Sequence, residues 1–305
     1  MEDRENNELP IKCLSICGGG HNGFSSIAIL KEAYEVLWDY NSIKSIFCTS
    51  SGGVVALVIG LKQNVDHVVQ YALDRPLDNI ISFDSSRIIS LLYDNGMYGK
   101  EIFIDFFKPL FASADLDINI TLKDFYEYSQ IDINFFTTEA KKCESVMVSY
   151  KSHPDLPIID AVIMSASIPI IFKPICIDDK YYFDGGLFKS SPHPDALLFY
   201  NSSEVLTICE RCHLDENYNN DNDTEKITLS NFFMIMVSNL MKKFNIEYAK
   251  NFVETPTTFI MESKTLTYTT LYNCKNTEYR KELYEYGVSL YKKKLITNSS
   301  HDETL

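Results

Sequence analysis

Apolar positions along the chain follow two periods, and the two take turns. Residues 12–17 form a short run of β type that ends in Gly18-Gly19-Gly20. Across residues 23–40, Ile27, Leu30, Ala33, Tyr34 and Leu37 then recur at helical spacing. Residues 43–48 read as a second strand, and residues 51–61 are apolar nearly all round, the mark of a buried helix. Further helices are expected over 64–73, 85–93 and 100–112. Residues 131–138 and 145–150 alternate as strands around the turn E-A-K-K-C-E, and residues 158–165 return to helical spacing. Pro169 and Pro174 bracket a bend, after which residues 181–183 and 205–209 supply the last strong strands. Strands alternating with helices predict an α/β fold, a three-layer sandwich whose mainly parallel central sheet is flanked by helices.

The periodicity lapses over residues 214–227, an acidic, asparagine-rich stretch expected to be a flexible loop. Two long helices are predicted after it, at about 228–250 and 276–295, on either side of a Thr/Tyr-rich stretch of undefined structure. This divides the chain into a catalytic domain at 11–213, the loop, and a C-terminal helical extension at 228–305 packed on the same domain.

Composition narrows the classes of function. With 28 basic against 42 acidic residues the net charge is −14, which argues against binding nucleic acid through its phosphates. The acidic, polar N-terminus does not read as a signal or transit peptide, and no apolar run approaches the roughly 18 residues of a membrane span. Eight cysteines at irregular spacing are read as reduced thiols, and the expected location is the cytoplasm. The single C-x-x-C, Cys209 and Cys212, is read as strand-end thiols rather than zinc ligands.

Three small-residue clusters carry candidate chemistry. The first, Cys17-Gly18-Gly19-Gly20-His21-Asn22-Gly23, follows the first strand and opens the first helix, so its backbone N–H groups can hold an oxyanion or a phosphate. By letter it also satisfies a dinucleotide pattern through Gly18, Gly20 and Gly23. Against that stands the placing of Asp39 within the first helix instead of at the end of the second strand. The second cluster, Cys48-Thr49-Ser50-Ser51-Gly52-Gly53, lies between a strand and a buried helix. A nucleophilic serine at such a turn needs small neighbours two positions away on each side, and Ser50 has Cys48 and Gly52. Centring on Ser51 sets β-branched Thr49 opposite Gly53, and Cys48 as nucleophile would sit on the strand itself. The third cluster is Asp184-Gly185-Gly186, a carboxylate at a strand end expected to reach the crevice at the sheet's C-terminal edge.

In this order the three clusters resemble the patatin-like phospholipase family, from about residue 11 to residue 194. The material between them agrees. Ser165-Ala166-Ser167-Ile168-Pro169 with Phe172-Lys173-Pro174 looks like the family's A-S-x-x-I-P-x-x-F-x-P segment, and Ser190-Ser191-Pro192 resembles its N-x-P ending. Residues 282–288, E-L-Y-E-Y-G-V, are similar to a short terminal helix of many members. The resemblance implies a lipid acyl hydrolase of phospholipase A or esterase type, acting through a Ser50–Asp184 dyad and an acyl-enzyme, with no cofactor and no metal. It implies oxyanion-hole N–H groups from Gly18, Gly19 and Gly20, with Cys48, Gly52, Gly185 and Gly186 as supporting positions. Two departures stand out: Asn22 where the family usually has Arg or Lys, and Cys48 in place of the first elbow glycine.

An acyltransferase or non-lipid esterase would use the same site, and a catalytically inactive lipid-binding protein would keep the fold. His193 follows Asp184 in the order of a Ser–Asp–His triad and is a rival base. The expected partner is a phospholipid or other acyl lipid, with peripheral membrane contact. Residues 231–244, rich in Phe and Met and ending near Lys242-Lys243, either pack on the sheet or border the substrate crevice.

Overall fold

In a computed structural model, the described residues are 9–77, 90–91, 93–211, 229–250, 252–262 and 268–302. The helix expected at 85–93, the acidic loop at 214–227 and Cys212 therefore lie largely or wholly outside the described residues.

The sheet is assembled from β1 (Cys13–Ile16), β2 (Ser45–Thr49), β4 (Asp132–Glu139), β5 (Glu144–Val148), β7 (Ile175–Ile177), β8 (Lys180–Asp184), β9 (Val205–Glu210) and β10 (Thr258–Met261). Its order is β10-β9-β1-β2-β4-β8-β7, with β5 also paired to β4. The five strands from β10 to β4 are parallel, and β5, β8 and β7 join antiparallel. β1, β2 and β4 are buried along their whole length, as the central strands of a sheet covered on both faces are. A separate two-stranded sheet pairs β3 (Gly96–Tyr98) with β6 (Ile170–Phe172).

The helices are α1 (Gly23–Ala33), α2 (Ser51–Gly60), α3 (Val65–Asp74), α4 (Glu101–Ser113), α5 (Leu122–Ser129), α6 (Ile158–Ala166), α7 (His193–Ala196), α8 (Leu229–Lys250), α9 (Tyr268–Asn273) and α10 (Thr277–Asp302). The first helix stops sooner than its apolar spacing predicts. After Ala33 the chain turns through Glu35 at φ 60°, and Trp38 folds back to donate from Nε1 to the Leu30 carbonyl at 3.0 Å. Leu37 continues the spacing without continuing the helix, because a local aromatic cluster of Tyr34, Trp38 and Tyr40 takes over the burial. Asp39 consequently sits in a turn before β2, where Oδ1 accepts from the N–H groups of Asn41 and Ser42. No ribose-binding carboxylate follows the second strand at this position.

The Thr/Tyr-rich stretch of the C-terminal third contains β10, which extends the main sheet beyond β9. α10 lies along α1, with Ser25 Oγ donating to the Leu283 carbonyl at 2.7 Å and Tyr291 stacked on Phe259 of β10 at 5.7 Å. Arg280 is fully buried and gives its guanidinium donors to carbonyls of Leu73, Arg75, Cys274 and Lys275, joining α10 to the end of α3. Those last carbonyls of α3 lie at the negative end of the helix dipole, which suits a buried cation.

Candidate active site

The site forms around the C-terminal half of β4. On one side β2 pairs so that Thr49 lies opposite Phe136; on the other, β8 pairs so that Asp184 lies opposite Thr137. Adjacent residues of one strand therefore set Ser50, just past the end of β2, against Asp184. β8 runs antiparallel to β4, and Asp184, opposite Thr137, lies one step beyond the level of Thr49, the last residue of β2, and so beside Ser50.

Ser50 is the residue before α2 and adopts φ 54°, ψ −124°, a region non-glycine residues avoid. Such strain costs about 1–3 kcal/mol and persists only when the surroundings fix it. Ser165 on α6 does the fixing. Its Oγ accepts from the Ser50 N–H at 2.9 Å and donates to the Phe136 carbonyl at 2.6 Å. Gly52 lies so close to β1 that a Cβ there would collide with the Ile16 carbonyl and come within 2.7 Å of that of Cys17. A Cβ on Gly53 would meet only the edge of the Phe135 ring, at 3.2 Å. The crowded position is the one two residues after Ser50, so the turn is centred on Ser50 and not on Ser51, which is the first residue of α2.

Ser50 Oγ donates to Asp184 Oδ2 at 2.5 Å, and Asp184 Oδ1 accepts from the Gly186 N–H at 2.7 Å. Asp184 is fully buried and Ser50 is 5% exposed. Burial pushes the Asp184 carboxyl up to about 6, while the bonds from Ser50 and the Gly186 N–H act in the opposite sense. Gly185 presses on the Phe136 carbonyl with no room for a side chain, which holds the turn against β4.

The remaining candidates divide. Gly18, Gly19 and Gly20 lie beside the elbow, and a Cβ on Gly18 would be 3.1 Å from that of Ser50. The Gly18 N–H, however, donates to the Ser190 carbonyl at 3.0 Å and is not available to an oxyanion in this arrangement. Asn22, at the position of the expected cation, donates from Nδ2 to Glu210 Oε1 at the end of β9, and that carboxylate lies against Gly19. Cys48 is fully buried, burial raises its thiol well above the ordinary range, and Sγ donates to the Asn134 carbonyl. It is a strand residue and not an exposed nucleophile.

His193 lies elsewhere. Its Nε2 meets the Val253 carbonyl at 3.1 Å and its Nδ1 the Thr207 hydroxyl at 2.7 Å, so the ring is held as the Nε2–H tautomer. Neither nitrogen bonds Ser50 or Asp184. Burial lowers its proton affinity, and the ring packs on Phe252 at 4.9 Å. We expect His193→Ala to keep soluble-ester hydrolysis within about threefold of the parent while losing roughly 2–4 kcal/mol of stability. A variant as inactive as one lacking Ser50, but equally stable, would restore the triad.

Two site residues were not recognised from sequence. Ser165 was visible only as a letter of the A-S-x-x-I-P segment. Asn245, inside α8, accepts from the Ser190 N–H at 2.7 Å and donates to the Gly186 carbonyl at 2.9 Å, tying both glycine-flanked turns to the C-terminal third. A buried asparagine inside a Phe/Met-rich helix is the signal that could have marked it. Met241, one turn earlier, lies against the same turn: a Cβ on Gly186 would be 2.6 Å from its Cε. α8 thus does both things its composition allowed, packing through Val237 beside Ile168 and bordering the site through Met241.

A parallel-cored α/β sheet with a strained serine turn bonded to a buried aspartate defines a class of hydrolase-like folds. The chain belongs to the patatin-like phospholipase family, whose model matches residues 14–197. It is similar to an uncharacterized protein of Acanthamoeba polyphaga mimivirus, 26% identical over 236 residues that cover 76% of this chain and 75% of that one. A probable lipid hydrolase of Invertebrate iridescent virus 6 is 22% identical over 192 residues, and the match spans 62% of this chain and 64% of the relative. Among solved structures, VipD from Legionella pneumophila shares the fold at TM-score 0.56 and 14% identity, over 94% of this chain and 67% of that one.

Proposed function

We propose that the protein is a lipid acyl hydrolase that cleaves carboxylic esters by a Ser50–Asp184 dyad. The hydrogen bond of 2.5 Å between two buried groups carries this reading, since a serine becomes nucleophilic when a base takes its proton as it attacks. Ser50 Oγ adds to the ester carbonyl while its proton passes to Asp184 Oδ2. The oxyanion takes N–H donors from Gly19 and Gly20 at the positive end of α1. Collapse of the tetrahedral adduct breaks the ester bond, and Asp184 returns the proton to the departing alkoxide, releasing an alcohol. Water then adds to acyl-Ser50 with Asp184 again as base, and the fatty acid leaves. No histidine, metal or cofactor is assigned a step.

A lipid substrate is supported by the family and by the iridescent-virus relative described as a probable lipid hydrolase. Met241, against Gly186 beside the site, suits contact with an acyl chain. A serine-reactive fluorophosphonate should label one peptide, the one containing Ser50; labelling at another serine, or none, would sink the dyad. The pH profile gives an independent check. The base must be ionised, and its folded-state value is raised to about 6, so kcat/KM should be flat above that pH and fall about tenfold per unit below it. A break that persists unchanged in Asp184→Glu would mean that Asp184 is not the titrating base.

A further inference from the structure

α8 shows a second apolar row besides the one that packs inward. Val237 and Asn245 are buried and Met241 is half-buried, while Met236, Leu240 and Phe244 are 41%, 42% and 48% exposed, with Phe232 exposed in the same register. A four-residue spacing places these side chains in one stripe along the helix, about 100° from the buried row. Phe244 closes the stripe by packing on Phe188, directly after the Gly185–Leu187 turn, with ring centroids 5.0 Å apart. The stripe therefore begins at the turn that carries Asp184.

Its charge differs from that of the rest of the molecule. Residues 229–250 contain three lysines, Lys242, Lys243 and Lys250, against one acid, Glu247, in a chain of net charge −14. Lysines flanking an apolar stripe match a layer of phosphate groups above hydrocarbon, the arrangement of a helix lying in a membrane interface. A strongly anionic bilayer would repel the remainder of the protein, so the charge balance favours a zwitterionic one.

We propose that this face of α8 docks the protein on a zwitterionic phospholipid surface, with the stripe dipping among the acyl chains and Lys243 reaching lipid phosphates. This rests on the lipid acyl hydrolase reading and adds to it the route by which an acidic protein meets aggregated substrate. The helix that enters the surface is the one whose Met241 and Asn245 hold the catalytic turn, so docking and site share one rigid element.

The test separates binding from chemistry. In the full chain carrying Ser50→Ala, which cannot consume the lipid, co-sedimentation with phosphatidylcholine vesicles should be lowered at least tenfold by adding Met236→Ser and Leu240→Ser. Phe244 is left in place because it packs on Phe188. The same two substitutions in the chain with an intact serine should leave p-nitrophenyl butyrate hydrolysis and the melting temperature unchanged. Equal vesicle binding with and without the stripe would overturn the proposal, as would failure of the parent to bind. A marked fall in melting temperature would assign the stripe to packing. Loss of a dimer in sedimentation velocity, with vesicle binding absent, would give the face to a second copy of the chain. Absence of ester hydrolysis in the intact-serine parent would instead overturn the enzymatic reading and leave the binding result standing.

Discussion

Replacing Ser50 with alanine is expected to lower ester hydrolysis by ~10⁴-fold or more, and Asp184→Asn should be comparably damaging. The double variant should be no worse than either single one, because two groups sharing one proton act as a unit. Stability should move the other way at Asp184. Its folded-state value of about 6 lies above the ordinary 3.8, so ionising it costs the native state as pH rises through 6, and the cost vanishes where both states are protonated. Asparagine keeps the shape and cannot ionise. The variant should therefore gain up to about 3 kcal/mol above pH 6 and nothing below about pH 3. Activity and melting curves on one set of proteins check both signs; a destabilised asparagine variant at pH 8 would contradict a buried, ionised base.

Gly52→Ala should have a large effect on folding for a single added methyl group. The obstacle is the backbone of β1, with carbonyls of Ile16 and Cys17 that cannot swing aside as a side chain can. Since β1 is buried in mid-sheet, the strand or the helix must shift, at a cost of about 3 kcal/mol or more. For a chain of this size that corresponds to a fall of about 5 °C or more in melting temperature. Gly53→Ala, facing an aromatic edge that can yield, serves as the control. If the two variants melt alike, the close approach of α2 to β1 is not what fixes the elbow.

What the sequence made legible follows from range. The elbow at Ser50 and the D-G-G turn are local: a few small residues at fixed spacing announce a tight backbone, whichever fold surrounds them. Short runs of β type marked β1 and β2, and alternation marked β4, for the same reason. Direction was not legible. A strand reads alike in both senses, so the antiparallel course of β8 emerged only from its pairing with β4. Commitments between distant residues were equally hidden. Nothing near Gly18 shows that its N–H is taken by Ser190, and nothing near Asn22 shows Glu210 across the sheet edge. Even the first helix misled, since Leu37 satisfies the helical period while Trp38 folds back on Leu30.

The strand order has a consequence measured in seconds. One of the two edges of β1 is closed by β9, made roughly 190 residues after it, and at about 5–20 residues per second that edge waits on the order of 10–40 s. β9 in turn receives β10 only after roughly 50 further residues have been made. For that interval a mostly apolar strand, Cys13-Leu14-Ser15-Ile16, has open hydrogen-bonding groups on one side and stands ready to accept a strand from a neighbouring nascent chain. A slower ribosome lengthens the time for which that edge stays open.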